Sequence, residues 1–403
     1  MKGKHLFGVC LQIARILKDI RKRTFSHGED LVPFPRFGQD GVSGLAIFPV
    51  LTETPPMPLP VWKKILVVDL GFLGDTVHSI PAIRALANCG AEVDVMTTAV
   101  GAELLAMVPE VKRVWVVPLA KPSPAPWKNL GTLGSIRAQS YDAALSFVGS
   151  ERNLFCTGWS RARQRIAHQS GPSSWLARSR LTQIIPPRDR SDTVFEQRLS
   201  ILKELGWKGT NPGWSWQVPV ECKQWASTVV KGPALHLSVS AASSPLNEWP
   251  LDLWAKVLEK VWHGSPQLRV FATGAGSERE VARLDDLASL VKDERLQILP
   301  QRQPISRLLA LVQACDLHVG LDSGVLHLAM SAGKPTVSLF RESAGRVGWA
   351  PRGEPHRTIV QECPCHQTAA TSCAGGRALC LSKITADEVA EAITNTLPKP
   401  VRR

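Results

Sequence analysis

Residues 63–86, KKILVVDLGFLGDTVHSIPAIRAL, decide how this chain folds. Lys63 to Leu70 is a short apolar run rich in β-branched residues, the pattern of a strand buried on both faces of a parallel sheet. The turn Gly71 to Asp75 follows, and Val77, Ile80, Ile83, Ala85 and Leu86 then recur at helical spacing between Thr76 and Asn88. Pro81 is expected in the first turns of that helix, where proline is tolerated. Gly90 closes the helix, and Glu92 to Thr97 (EVDVMT) reads as the next strand. Strand, helix and strand within about 35 residues make a βαβ unit.

Downstream the idiom continues, with a helix expected at Gly101 to Met107 and strands at Val114 to Val117 and Ala143 to Phe147. Between residues 208 and 222, Gly209, Pro212, Gly213 and Pro219 break the periodicity and Trp214 and Trp216 interleave, as in a passage between domains. A second series begins at Ala234 to Ser240, with strands at Leu268 to Thr273, Leu296 to Leu299, Leu317 to Gly320 and Thr336 to Phe340. Its helices are read at Leu251 to Trp262, Ser277 to Leu290, Ile305 to Ala314 and Gly324 to Ala332. A last helix starts at Thr385, with Glu388 completing a capping box. The expected fold is α/β, with two Rossmann-like domains facing a central cleft. The expected segments are residues 1–60, 61–222 and 223–403.

The 403 residues are 44% hydrophobic and 21% charged, enough for two buried cores and unlike a disordered chain. The net charge of +13 implies an acidic partner: nucleic acid, an anionic membrane or phosphorylated ligands. The 13 Trp and single Tyr are scattered, and no nucleic-acid module is visible, so sugar and membrane-surface partners fit better. No run approaches the ~18 apolar residues of a membrane span. Leu6, Val9, Ile13, Leu17 and Ile20 recur at helical spacing among Lys2, Lys4, Arg15, Lys18, Arg21, Lys22 and Arg23. That is a basic helix lying on an anionic membrane, a helix packed on the protein itself, or a disordered arm. Residues 25–60, rich in proline, read as a linker or extension. The 9 cysteines do not form a disulfide framework, which points to the cytosol. Cys363, Cys365, Cys373 and Cys380 cluster near the end, as a structural zinc site, a redox-labile disulfide, or reduced thiols that pin a loop by packing.

In open α/β sheets ligands bind beyond the carboxyl ends of the strands, and three turns there carry unusual polar residues. In the first, Gly71 and Gly74 permit close backbone approach, and Asp75 is either a helix N-cap or a general base on the floor of a cleft. His78 is a ligand contact or a helix-surface residue. In the second, Asp322, Ser323 and Gly324 open a helix whose free N–H groups suit a pyrophosphate, with His327 one turn along. In the third, Ser240 to Pro250 is a polar loop containing Ser243 and Ser244, leaving through Trp249-Pro250. The turn Thr273 to Glu278 is not a dinucleotide fingerprint, because Arg279 occupies the third glycine position.

Together these stretches resemble glycosyltransferase family 9. LGDTVHSIPA (73–82) looks like that family's first strand-loop-helix core, VGLDSGVLHLAMSAGKPTVSLF (319–340) like its Gly-x-Asp-Ser-Gly stretch, and LSVSAASSPLNEWPLDLWAKVL (237–258) like its Trp-Pro loop. The resemblance runs from about residue 63 to 395. It implies the GT-B architecture and metal-independent, inverting transfer of a heptose from ADP-heptose to a lipopolysaccharide inner-core acceptor, with no cofactor. It implies Asp75 as general base, Gly74 and His78 on the acceptor side, and Ser243, Ser244, Glu278, Asp322, Ser323, Gly324 and His327 around the nucleotide sugar. Residues 61–222 would bind the acceptor and 223–403 the donor, on the cytoplasmic face of the inner membrane.

One departure is Asn247, where the family often has lysine two residues before Trp-Pro; Arg341, just past Phe340, is a replacement cation. The alternatives are a GT-B transferase for another nucleotide sugar and a non-catalytic membrane-surface protein of the same fold. An NAD-dependent oxidoreductase lacks its glycine fingerprint here.

Overall fold

The computed structural model describes residues 59–118, 130–169, 173–186, 191–241, 244–299, 301–343, 345–363, 373 and 378–398. The basic segment at residues 2–23 and the proline-rich stretch up to residue 58 lie outside them. Among the described residues no helix is long and apolar enough to cross a membrane.

The chain builds two six-stranded sheets, parallel throughout. The first holds β1 (Lys64–Asp69), β2 (Glu92–Thr97), β3 (Val111–Val116), β4 (Ala143–Ser146), β5 (Gln164–His168) and β6 (Gln183–Ile185). The second holds β7 (Ala234–Ser238), β8 (Arg269–Thr273), β9 (Leu296–Leu299), β10 (Leu317–Leu321), β11 (Thr336–Leu339) and β12 (His356–Ile359). The spatial orders are β3-β2-β1-β4-β5-β6 and β12-β11-β10-β7-β8-β9. Each is the doubly wound 3-2-1-4-5-6 arrangement, so the strand order reverses between β1 and β4 and again between β7 and β10. The expected GT-B architecture is present.

The strands at both reversals are apolar and buried: β1 from Ile65 onward, β7 and β10 throughout. Helices cover them: α1 (Leu73–Asn88), α2 (Ala99–Leu105), α3 (Leu130–Arg137), α4 (Glu151–Trp159), α5 (Trp175–Arg178) and α6 (Val194–Glu204) in the first half. The second half carries α7 (Val220–Val229), α8 (Leu251–Gly264), α9 (Glu278–Val291), α10 (Ile305–Ala314) and α11 (Gly324–Ser331). The series ends with α12 (Arg346–Trp349), α13 (Leu379–Lys383) and α14 (Ala386–Thr396). One apolar cluster joins the halves, since Ile305, Leu309, Ala310 and Leu328 pack with Ile65, Val67, Val77 and Ile80.

The elements read from periodicity are present with ends shifted by a few residues, but α3, α7, α12, α13 and β12 were not read from the sequence, and two further differences stand out. Helix α1 begins at Leu73 rather than Thr76, so Pro81 lies in its middle and not in its first turns. The residues between 148 and 207, passed over in the sequence, form α4, β5, α5, β6 and α6. Strand β6 has three residues and β5 starts on exposed Gln164, so neither carries a sustained apolar pattern. The capping box at Thr385 and Glu388 forms as expected.

Residues 207–219 strap the halves together without regular structure. Arg84 donates to the Pro212 carbonyl at 2.5 Å, Trp214 Nε1 to the Val77 carbonyl at 2.8 Å and Trp216 Nε1 to the Ser331 carbonyl at 3.1 Å. A proline at 81 has no N–H for the carbonyl four residues back, so the Val77 oxygen is open to Trp214.

Candidate active site

Asp69 ends β1 and Asp75 sits in the first turn of α1, both at the first strand reversal. Asp75 is not the N-cap, one of the two readings open in the sequence: Phe72 is, with extended backbone, and Asp75 stands three residues inside. From there its Oδ2 accepts the Phe72 N–H at 3.0 Å. The carboxylate lies directly over Gly71, where an added Cβ would be 2.7 Å from Oδ2 and closer still to Cβ and Cγ of Asp75. Glycine at 71 is therefore required by close approach rather than by backbone angle.

The other carboxylate oxygen faces Arg198 of α6, whose Nη2 lies 3.1 Å from Asp75 Oδ1. Arg198 Nη1 donates to the Asp75 backbone carbonyl and, at 2.6 Å, to Ser79 Oγ. Ser79 in turn donates to Asp69 Oδ2 at 2.5 Å, while Asp69 Oδ1 accepts the Gly71 N–H at 3.2 Å. Asp69 is fully buried, and burial raises its carboxyl above the usual carboxylate range, with nearby Arg198 pulling against the shift. Asp75 keeps 18% of its side chain exposed. Of the two carboxylates, Asp75 is the one a ligand can reach. Sequence reading missed Arg198, because nothing local to α6 marks it; the signal exists only where α6 packs on α1.

The second turn meets the first. Helix α11 opens at Gly324, with extended Ser323 as its N-cap and no side-chain cap bond. Its first backbone N–H groups have no partner within the helix, the usual state of a helix start. Ser323 Oγ is buried without a hydrogen-bond partner. The two helix starts touch: a Cβ on Gly324 would lie 2.8 Å from Leu73 Cβ, and one on Gly74 would lie 2.7 Å from His327 Cδ2. His78 is no surface residue. It is 1% exposed, His327 is 2% exposed, and His78 Nε2 lies 3.1 Å from His327 Nδ1. Trp349 packs on both rings, with centroids 5.3 Å and 5.2 Å away. Asp322 Oδ1 is 3.7 Å from His327 Nε2. Burial, then the neighbouring His327 and Arg198, hold His78 well below the usual histidine range, so it is neutral at physiological pH.

In the third turn, Ser244 caps a short turn of 3-10 helix at Pro245–Asn247 and accepts the Leu246 N–H at 3.1 Å. Ser243 lies outside the described residues. Glu248 ties the loop down by accepting the Ala241 N–H at 3.1 Å and pairing with Arg279 and, at 3.4 Å, Arg283. Arg283 also donates to the carbonyls of Val239 and Trp249 at 3.1 Å and 3.0 Å. These two arginines of α9 are structural clamps. Glu278 is the exposed first residue of α9, beyond the end of β8. Arg341 Nη1 points at Cys373 Sγ, 3.6 Å away. Cys363, Cys373 and Cys380 are buried in one apolar cluster, and Glu342 N donates to Cys380 Sγ at 3.4 Å. Cys365 lies outside the described residues, and among those described no group of three or more His, Cys, Asp or Glu could hold a metal.

The model of glycosyltransferase family 9 (heptosyltransferase) matches residues 134–376, more than half of the chain. The chain belongs to glycosyltransferase family 9. It is 21% identical over 297 residues to the lipopolysaccharide core heptosyltransferase OpsX of Haemophilus influenzae, covering 72% of this chain and 81% of that protein. Its fold is similar to a family 9 glycosyl transferase from Veillonella parvula, with a TM-score of 0.69, 18% identity, and coverage of 83% of this chain and 97% of that one. E. coli ADP-heptose LPS heptosyltransferase II gives a TM-score of 0.65 at 19% identity, covering 83% and 98%. As a member of this family the chain is a glycosyltransferase, and the match spans the carboxyl-terminal turns described above.

Proposed function

We propose that the enzyme transfers a heptose from ADP-heptose to an inner-core sugar of lipopolysaccharide, with inversion and without a metal. The first half takes the acceptor and the second half the donor. The acceptor hydroxyl gives its proton to Asp75 as its oxygen attacks the anomeric carbon. The bond from that carbon to the diphosphate oxygen breaks, and ADP leaves with the electron pair. Its developing charge falls at the start of α11, where Ser323 and Gly324 offer backbone N–H groups and the positive end of the helix dipole. On this reading Asp322 and His327 shape that end of the site, and Ser243, Ser244 and Glu278 are assigned to the nucleotide.

The observation that carries this reading is the contact between the two helix starts. It brings the turn that carries Asp75, the more exposed of the two carboxylates there, against the anion-ready start of α11. The similarity to OpsX, a lipopolysaccharide core heptosyltransferase, and to the E. coli ADP-heptose LPS heptosyltransferase II supports the heptose, the acceptor and the donor. The test is release of ADP from ADP-heptose with a truncated lipopolysaccharide acceptor, in wild type and Asp75→Ala. Turnover in wild type and a loss of about 10²–10⁴-fold in the variant are expected, the range of a lost general base. Wild-type turnover that survives in Asp75→Ala would remove Asp75 from the chemistry. A folded wild type inactive with ADP-heptose but active with another nucleotide sugar would favour the second reading, which rests on Asn247 in place of the lysine.

The net charge of +13 supports an enzyme working against an anionic cytoplasmic membrane surface, with residues 1–24 as a basic helix on the lipid. Liposome flotation that is unchanged on deleting residues 1–24 would exclude that role.

A further inference from the structure

Among the described residues, the buried polar groups include the His236–His318 pair, the thiols near Cys380, and the Arg198–Asp69–Ser79 set. The last bears directly on chemistry. Arg198 is a costly group to bury, with 5% of its side chain exposed. It is too deep to meet a ligand, so its function is exercised through what it touches.

We propose that Arg198 is the positioning residue for Asp75, and that Asp69 and Ser79 serve to hold Arg198 in place. This rests on the reading of Asp75 as general base. The hydrogen bonds of the guanidinium go to the first two turns of α1: Asp75 Oδ1 at 3.1 Å, the Asp75 carbonyl, and Ser79 Oγ at 2.6 Å. The Phe72 N–H holds the other carboxylate oxygen at 3.0 Å. The carboxylate is thus fixed from both ends, by a backbone donor and a planar fork, and the lone pairs left over belong to the exposed part of the group. Asp69 cannot act as the base, because its oxygens are occupied by Ser79 and Gly71 and it is fully buried. It is the countercharge, 3.9 Å from Arg198 Nη1. When Asp75 takes the acceptor proton and becomes neutral, Arg198 keeps Asp69 as its partner, so proton transfer leaves no buried charge alone.

The experiment compares kcat and donor KM of wild type, Asp75→Ala, Arg198→Met, Arg198→Lys and the double variant Arg198→Met/Asp69→Asn. The donor is the nucleotide sugar that wild type turns over. The double variant matters because it removes the buried carboxylate that Arg198→Met would strand, and its thermal unfolding shows that it is folded. A kcat about 100-fold below wild type in both Arg198→Met and the double variant is expected, with donor KM changed less than about threefold, the cost of a misplaced catalytic group. Arg198→Lys should recover part of the loss, because it restores the charge without the fork. A double variant with wild-type kcat would overturn the proposal, since Arg198 would then merely neutralise Asp69. So would a raised KM at unchanged kcat. An inactive Asp75→Ala beside an active Arg198→Met sinks the positioning role alone, whereas an active Asp75→Ala sinks the base and the positioning role together.

Discussion

Two carboxylates six residues apart, Asp69 and Asp75, end in opposite environments. Asp69 points into the packing between β1, α1 and α6, where burial raises its pKa, and Asp75 stays at the surface of the turn. What permits this is Gly71, over which Asp75 lies. Gly71→Ala should therefore push the Asp75 carboxylate aside. A fall in kcat of about 10²-fold is expected, from displacement on the order of 1 Å at the proposed base. Steady-state kinetics together with a melting curve would check it; a variant as active as wild type would show that the close approach is dispensable. Asn247 and Arg341 belong to the same scale. The sequence suggested that Arg341 replaces the cation missing at Asn247, but its Nη1 is turned to Cys373, so nothing here assigns it to the diphosphate.

At the scale of the element, α1 does three tasks with one proline and two glycines around it. Its start carries Asp75, Gly74 lets its first turn approach His327, and Pro81 leaves the Val77 carbonyl to Trp214 of the strap. The strap and the helix break are thus coupled. Trp214→Phe should cost about 1–2 kcal/mol of stability in wild type, the loss from a hydrogen bond with one buried partner left unpaired. In a Pro81→Ala background the restored N–H serves Val77, and the same change should cost less. A double-mutant cycle by chemical denaturation reads the difference. Equal costs in both backgrounds would mean that the two groups do not share the carbonyl.

Across the whole molecule, the two halves repeat one strand order and place their polar turns at the same kind of reversal. The interior also carries buried histidines held neutral. His236 is pushed down to about 3 by burial, and burial with the neighbouring His236 pushes His318 well below its ordinary value, their Nδ1 atoms 2.8 Å apart. With His78 they share a sign: each binds protons less readily folded than unfolded. Their stabilising contribution is complete above the unfolded value of about 6.5 and is lost as pH falls below it toward the depressed folded values. Stability should fall between about pH 6.5 and 5, by up to about 1.4 kcal/mol per pH unit for each such histidine. Unfolding free energies at stepped pH measure it, and in His236→Gln the slope should be shallower by about one proton; an unchanged slope would remove His236 from the account.

The sequence by itself determined the alternation of strands and helices, because periodicity is a local property that burial on one or both faces imposes. It also marked the two polar turns, since glycines after apolar strands permit close backbone approach and a helix start there suits an anion. It left Asp75 divided between cap and base, and misplaced the start of α1, because the N-cap is Phe72, a residue with no capping chemistry to announce it. The short, half-polar elements between 148 and 207 were illegible for a related reason: their burial comes from neighbours rather than from their own pattern. Only tertiary structure brought Arg198 to Asp75, across 123 residues, and His78 to His327, across 249. A guanidinium, a carboxylate and two imidazoles have no sequence signature for one another. Their partnership is decided by which helices pack together, through contacts that no local pattern records.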